Sequence, residues 1–225
     1  MAPLNVLIID DEKNIRHTLR VCIESLGGKV SEASSAETAA EAVGRATYDM
    51  AFLDLKLGTQ NGLDVIPTLL AENAGAVSVV DAQGAALTGA LKAKPGLVKP
   101  NQTELAATVG RELKSEADVM RAMRELCERG AQRVIVTAGR EPALAFDGKI
   151  FRRIITPRIQ VVNPIGSGDA FTASVVWRLL RGDDLGEACR WGAAAGAANA
   201  LTPLPGELKR KDVNRLAKDV RVRKI

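Results

Sequence analysis

Short apolar runs alternate with amphipathic helical patterns along almost the whole chain, and few folds accept that order. Leu4 to Ile9 reads as a first buried strand. A helix from Glu12 to Leu26 follows, with Ile15, Leu19, Cys22, Ile23 and Leu26 on one face and Gly27-Gly28 as its stop. Val30 opens a second strand, Ser34 and Glu37 form a capping box for a helix to about Ala46, and Met50 to Leu53 is a third strand ending in Asp54. After a helix over about Leu63 to Leu70 come buried strands at Val77 to Val80, Leu97 to Val98 and Arg133 to Val136. Helices at about Ala85 to Ala93, Thr103 to Arg111 and Ser115 to Glu128 separate them. Strands joined through helices lie parallel, so the pattern predicts an α/β fold, a doubly wound three-layer αβα sandwich with a mostly parallel sheet. Ala143 to Phe146 and Ile150 to Arg153 flank Asp147-Gly148, a turn signal that predicts one small antiparallel hairpin in the C-terminal part. A helix from near Gly168 to about Leu180 and a small-residue helix, Gly192 to Ala200, complete the series; the second must pack closely on a neighbour.

With 225 residues, 46% hydrophobic and 26% charged, the chain can build one large α/β domain or two small ones. It holds no run of about 18 apolar residues and its first ten residues lack the zones of a signal peptide, so a cytoplasmic location without membrane contact is expected. Cys22, Cys127 and Cys189 are odd in number and scattered, which implies neither a disulfide nor a metal cluster. The net charge is +4, and only Lys209 to Lys224, a stretch without aromatics, concentrates basic residues. It reads as a solvated terminal helix and not as a nucleic-acid surface. His17, the single histidine, reads as solvated.

Chemistry concentrates first at Asn163 to Asp169, N-P-I-G-S-G-D. Gly166, Ser167 and Gly168 let backbone N–H groups converge on an anion, and the helix that starts there adds its positive end. Asp169, in the first turn, is placed to take a proton from an attacking hydroxyl while those N–H groups hold charge on a transferring phosphoryl group. A helix cap alone accounts equally for the bare tetrapeptide. The stretch closely resembles the second signature of ribokinase-like (PfkB) carbohydrate kinases, and further segments follow that family's order from about Val79 to Leu201. V-V-D-A-Q-G-A-A-L at 79–87 resembles its strand–turn–helix segment, and L-V-K-P-N-Q-T-E-L at 97–105 its K-P-N-x-x-E motif. The resemblance implies that Asn101 and Glu104 help hold Mg-nucleotide phosphates, and that Thr137 and Gly139, in V-I-V-T-A-G at 134–139, contact the phosphates of ATP. Pro142 departs from the pattern where a glycine is common, and removes an N–H. Asn199, in the Ala-rich helix, is implied as a polar contact to adenine. Within the family the wording is most like the phosphosugar kinases, of the 1-phosphofructokinase or tagatose-6-phosphate kinase type.

A second constellation lies near the start. Asp10 and Asp11 end the first strand and Asp54 ends the third, and three carboxylates at strand ends repel one another unless they hold a divalent cation, for which hard oxygen ligands suit Mg²⁺. As a plain alternative, Asp11 is a helix N-cap. I-I-D-D-E, F-L-D-L-K-L-G and N-G-L-D-V together resemble the receiver domain of bacterial response regulators, notably the NtrC-like type, over roughly Leu4 to Glu72. That resemblance implies Mg²⁺ at Asp10, Asp11 and Asp54, with Asp54 as acceptor of phosphate from a histidine kinase. Asp81 stands where a receiver carries a hydroxyl residue, and a carboxylate there repels a phosphoryl group. Lys99-Pro100 mimics a receiver's Lys-Pro while belonging to the kinase motif.

Nothing like a kinase's sugar-binding half or lid precedes Val77. The chain therefore reads as a chimera, residues 1–74 a receiver-like (flavodoxin-like) half and 75–225 a ribokinase-like part, fused into one sheet and joined at about Glu72 to Val77. Such a splice is of the recombined or engineered kind. The expected function is ATP-dependent phosphotransfer, reduced to nucleotide or phosphate binding where the acceptor half is missing. Phosphoacceptance at Asp54, and a fold with neither activity, are the alternatives.

Overall fold

Val6 to Ile9 are all buried in the computed structural model of the chain, which describes residues 3–25, 28–54, 56–72 and 78–225. An apolar run buried on both faces marks the centre of a parallel sheet. Strand β1 (Asn5–Ile9) lies between β2 (Lys29–Ala33) and β3 (Met50–Leu53), parallel to both, with Val6 opposite Val30 and Met50. Helices α1 (Lys13–Ser25) and α2 (Ala36–Arg45) connect these strands. Short antiparallel strands β4 (Lys56–Leu57) and β5 (Gln60–Asn61) lead through a 3₁₀ turn at Gly62–Val65 into α3 (Ile66–Glu72). Leu7, Ile9, Ala39, Val43, Leu57 and Val65 form the core of this unit, which spans Met1–Ser78.

Two expectations change here. The cap of α2 is Ser35 with Thr38, not Ser34 with Glu37: the Thr38 hydroxyl accepts from the Ser35 N–H at 3.1 Å, while Glu37 accepts from Gln60. Phe52 on β3 is 39% exposed where a buried strand was expected. The Cys22 side chain, Leu26, Gly27 and Asn73 to Val77, which include most of the expected joint, lie outside the described residues.

The second unit, Val79–Ile225, contains a six-stranded sheet. In chain order its elements are β6 (Val79–Val80), α4 (Gly84–Ala90), β7 (Leu97–Val98), α5 (Gln102–Val109), α6 (Glu116–Glu128), β8 (Val134–Ala138), β9 (Glu141–Phe146), β10 (Phe151–Ile155), α7 (Ser167–Leu180), α8 (Leu185–Asn199), α9 (Arg210–Asp219) and β11 (Arg221–Lys224). The order across the sheet is β11-β10-β9-β8-β7-β6. β6, β7 and β8 are parallel, while β8 through β11 are antiparallel neighbours. The antiparallel part is thus larger than one hairpin, because the basic tail is not a solvated helix alone: α9 buries Leu216 and Ala217, and β11 pairs with β10. Among the described residues, β2-β1-β3 form the sheet of the first unit and β6 to β11 that of the second. β6 offers only two residues, and they pair with β7.

Helices α7, α8 and α9 cover one face of the six-stranded sheet, with Ile135, Ala145, Ile154, Val175, Ala194 and Leu216 in one core. The small-residue helix expected at Gly192 to Ala200 is the end of α8, and its neighbour is α7. A Cβ on Gly192 would lie 2.6 Å from Val175 Cγ2, and one on Gly196 would lie 2.8 Å from the Ser167 carbonyl oxygen. The two glycines, one turn apart, let the backbones approach as no larger residue allows.

Candidate functional site

The parallel strands β6, β7 and β8 bring their carboxyl ends to one edge, the place where open α/β sheets bind ligands. Asp81, Lys99, Asn101 and Thr137 stand at those ends, and an isolated parallel bridge joins Asn101 to Thr137.

The anion turn is built by local hydrogen bonds. Asn163 Oδ1 accepts from the Ile165 N–H at 3.0 Å, and its Nδ2 donates to the Pro203 carbonyl at 2.8 Å. Gly166 caps α7 with φ 81°, a left-handed conformation that favours glycine, and a Cβ there would lie 2.8 Å from the Gly206 nitrogen. The Gly168 and Asp169 N–H groups have no acceptor among the described residues, and Asp169 is exposed with its carboxylate unengaged by them. A helix start with unpaired N–H groups and a positive dipole end attracts an anion.

Asn199, implied as a contact to adenine, is tied into the anion turn. It is fully buried, donates from Nδ2 to the Ile165 carbonyl (2.8 Å) and the Ser167 hydroxyl (3.1 Å), and accepts from the Gly206 N–H at 2.7 Å. Both amide protons are thereby used, so Asn199 braces the anion turn.

Asn101 is the N-cap of α5. It accepts from the Glu104 N–H at 2.9 Å while Glu104 Oε2 accepts from the Asn101 N–H at 2.8 Å, a reciprocal capping box that fixes the pair against each other. Asn101, Thr137 and Gly139 line one open cavity of about 660 Å³, together with Thr103, Lys114 and Glu141. The last three escaped sequence reasoning, since they come from a helix face, a loop and a strand start with no shared motif. Gly139 sits at the β8–β9 turn with φ 61°. Ala138 pairs with Glu141 and Val136 with Leu144, so one extra residue bulges from β9 around Pro142, a place where the chain tolerates proline.

Lys99 is buried, with 6% of its side chain exposed, and its Nζ lies 3.0 Å from Asp81 Oδ2. A Cβ on Gly168 would sit 4.0 Å from that Nζ, which places the ammonium beside the first turn of α7. Thr172, one turn on, has its hydroxyl 2.9 Å from the Gly168 carbonyl and 3.3 Å from Asp81 Oδ2. The lysine read as receiver-like is therefore engaged within the second unit.

In the first unit, Asp10, Asp11 and Asp54 each offer a carboxylate oxygen within 4.8 Å of the others. Backbone pairing positions them: the Asp10 N–H donates to Ala33 and the Asp54 N–H to Ile9. One Asp10 oxygen also accepts from the Glu12 N–H at 2.8 Å. Three hard oxygen donors so close fit Mg²⁺. Cys127 and Cys189 fit no such role: burial pushes the Cys127 thiol up to about 11 and the Cys189 thiol higher still, so neither is a ready nucleophile or metal ligand.

Comparison with known proteins finds both parts. The family model for pfkB family carbohydrate kinases matches residues 68–210, and that for the response regulator receiver domain matches residues 6–106. ATP-dependent 6-phosphofructokinase isozyme 2 of Escherichia coli (strain K12) is 37% identical over 133 residues, which are 58% of this chain and 43% of that protein. The match thus spans less than half the relative's length. Among solved structures, a Staphylococcus aureus protein assigned as a phosphofructokinase has a TM-score of 0.81 at 20% identity, covering 100% of this chain and 83% of its own. Phosphofructokinase-2 from Escherichia coli, in complex with potassium, gives 0.78 at 21% (97% and 82% covered). Pyridoxal kinase from Staphylococcus aureus, in complex with ADP, gives 0.74 at 19%, with both chains covered in full. At these identities the structural likeness is one of fold. No described helix is long and apolar enough to cross a membrane.

Proposed function

Because the chain belongs to the pfkB family of carbohydrate kinases, we propose that its second unit binds Mg-ATP and that Asp169 is the base for phosphoryl transfer to a sugar or phosphosugar hydroxyl. The observation that carries this reading is the turn at Gly166 to Asp169, whose unpaired N–H groups lie beside the buried Lys99 ammonium. Two positive features converge on one small volume, which suits a phosphate better than any neutral group. Asn101, Thr137 and Gly139 line a cavity of a size that accepts a nucleotide's phosphate chain, and Glu104 supports Asn101 from behind. The nucleotide would supply the transferable phosphoryl group. The residues hold it, keep charge balanced at the N–H groups, and take the acceptor's proton on the Asp169 carboxylate.

Calorimetric titration with Mg-ATP tests the binding step. Gly168→Ala, which sets a methyl group against the anion site, should weaken affinity about tenfold, a loss of one good charge-assisted interaction. Asp169→Ala should leave affinity within about threefold and reduce any turnover by about 10²-fold or more. No detectable heat with the parent protein would overturn the proposal.

The clustered carboxylates favour a second reading for the first unit, in which Asp10, Asp11 and Asp54 hold Mg²⁺ and Asp54 accepts a phosphoryl group from a histidine kinase. Incubation with a small phosphodonor and Mg²⁺ should then add one phosphoryl mass, lost in Asp54→Asn. An unchanged mass counts against it. If both assays fail while unfolding stays cooperative, the chain is a recombined fold with neither activity.

A further inference from the structure

We propose that Asp81 is a positioning residue for the bound phosphate chain, acting through Lys99, with Thr172 bracing it; the inference rests on the nucleotide-binding reading of this site. The geometry starts in the sheet. Val80 and Val98 are paired across β6 and β7, so the next residues, Asp81 and Lys99, leave the parallel ladder side by side. The Lys99 N–H donates to the Val80 carbonyl at 3.0 Å, which fixes the lysine backbone against the strand that carries its partner. Its side chain is nearly all out of water, where an unpaired ammonium is costly, and the Asp81 carboxylate at 3.0 Å supplies the counter-charge.

That pairing also aims the group. One of three N–H donors is used by Asp81, the flexible four-carbon stem is held, and the nitrogen is kept at the backbone of Gly168, where the unpaired N–H groups lie. Thr172 ties the same carboxylate to α7, its hydroxyl shared between Asp81 Oδ2 and the nearer Gly168 carbonyl. Three elements, β6, β7 and α7, thus meet at one ion pair. Asp81 itself is 40% exposed, so its removal leaves no buried carboxylate hole.

The sign of the effect separates positioning from simple charge. If Asp81 acted only as a negative charge near the anion site, neutralising it would tighten phosphate binding. As a positioning residue its loss weakens binding, because Lys99 is no longer held at Gly168. Titrations of Mg-ATP and of inorganic tripolyphosphate should show Asp81→Asn about tenfold weaker than the parent for both probes. The difference should vanish in a Lys99→Met background, as it must when one residue works through another. Should Asp81→Asn fail to unfold cooperatively, Thr172→Val carries the test, with about a threefold loss that also disappears in Lys99→Met. Unchanged or tighter binding, or a loss that persists without Lys99, overturns the inference and leaves the nucleotide site standing. A parent that binds neither probe overturns both.

Discussion

Asp147 shows how one side chain secures an element. It follows β9, and its Oδ1 accepts from the N–H groups of Lys149 (3.0 Å) and Ile150 (2.8 Å) while its Oδ2 meets Arg152 at 2.6 Å. Burial works to raise its carboxyl, but the Ile150 N–H, Arg152 and the Lys149 N–H together hold it below the ordinary value near 3.8. A carboxylate with a lowered folded value contributes stability that is fully present above the unfolded value and is lost as pH falls through the folded one. Denaturant titrations should therefore show Asp147→Asn less stable than the parent at pH 7, with the gap closing as pH falls below about 4. At this scale the sequence was most legible where a motif is contiguous. The turn at Gly166 to Asp169 and the Asp147-Gly148 turn both stand where local spacing put them. Asn199 was not legible, because its partners Ile165, Ser167 and Gly206 lie beyond its own helix and only the fold assembles them.

Helices α7 and α8 show what an element needs from composition. Gly196 faces the Ser167 carbonyl at the first turn of α7, so Gly196→Ala should destabilise by about 1–3 kcal/mol despite better helix propensity. Since Ser167 belongs to the anion turn, the same variant should also weaken Mg-ATP binding; unfolding and titration curves measured together check both. Close packing of this helix was readable from its small residues, but its partner was not. The basic tail misled for a related reason. Its charges suggest solvent, yet Leu216 is buried and β11 completes an antiparallel sheet edge with Arg221 and Lys224 exposed, a charged edge of the kind that resists further pairing. Leu216→Ala should cost about 2–5 kcal/mol in equilibrium unfolding, which a solvated helix would not show.

At the scale of the whole molecule, each unit has its own core, and the optical probes divide between them. Trp177 and Trp191 both lie in the second unit, and Tyr48 lies in the first. Ile9→Ala, a fully buried position in the first unit, should cost about 2–5 kcal/mol there. With independent units it should shift the far-UV circular dichroism transition while leaving the tryptophan fluorescence transition in place; a coincident shift of both would mean one cooperative body. The layered α/β class was legible because period and length both signal it. Two-residue strands such as β6 carry too little pattern to announce which neighbours they pair with. The two family matches share residues 68–106, and that shared stretch holds β6, α4 and β7, a parallel strand–helix–strand unit. Such a unit pairs its two strands with each other and leaves outer edges for further strands, one of which β8 takes beside β7. A pair of parallel strands bridged by a helix is common to both kinds of sheet, so the same residues answer to two family patterns that otherwise share nothing.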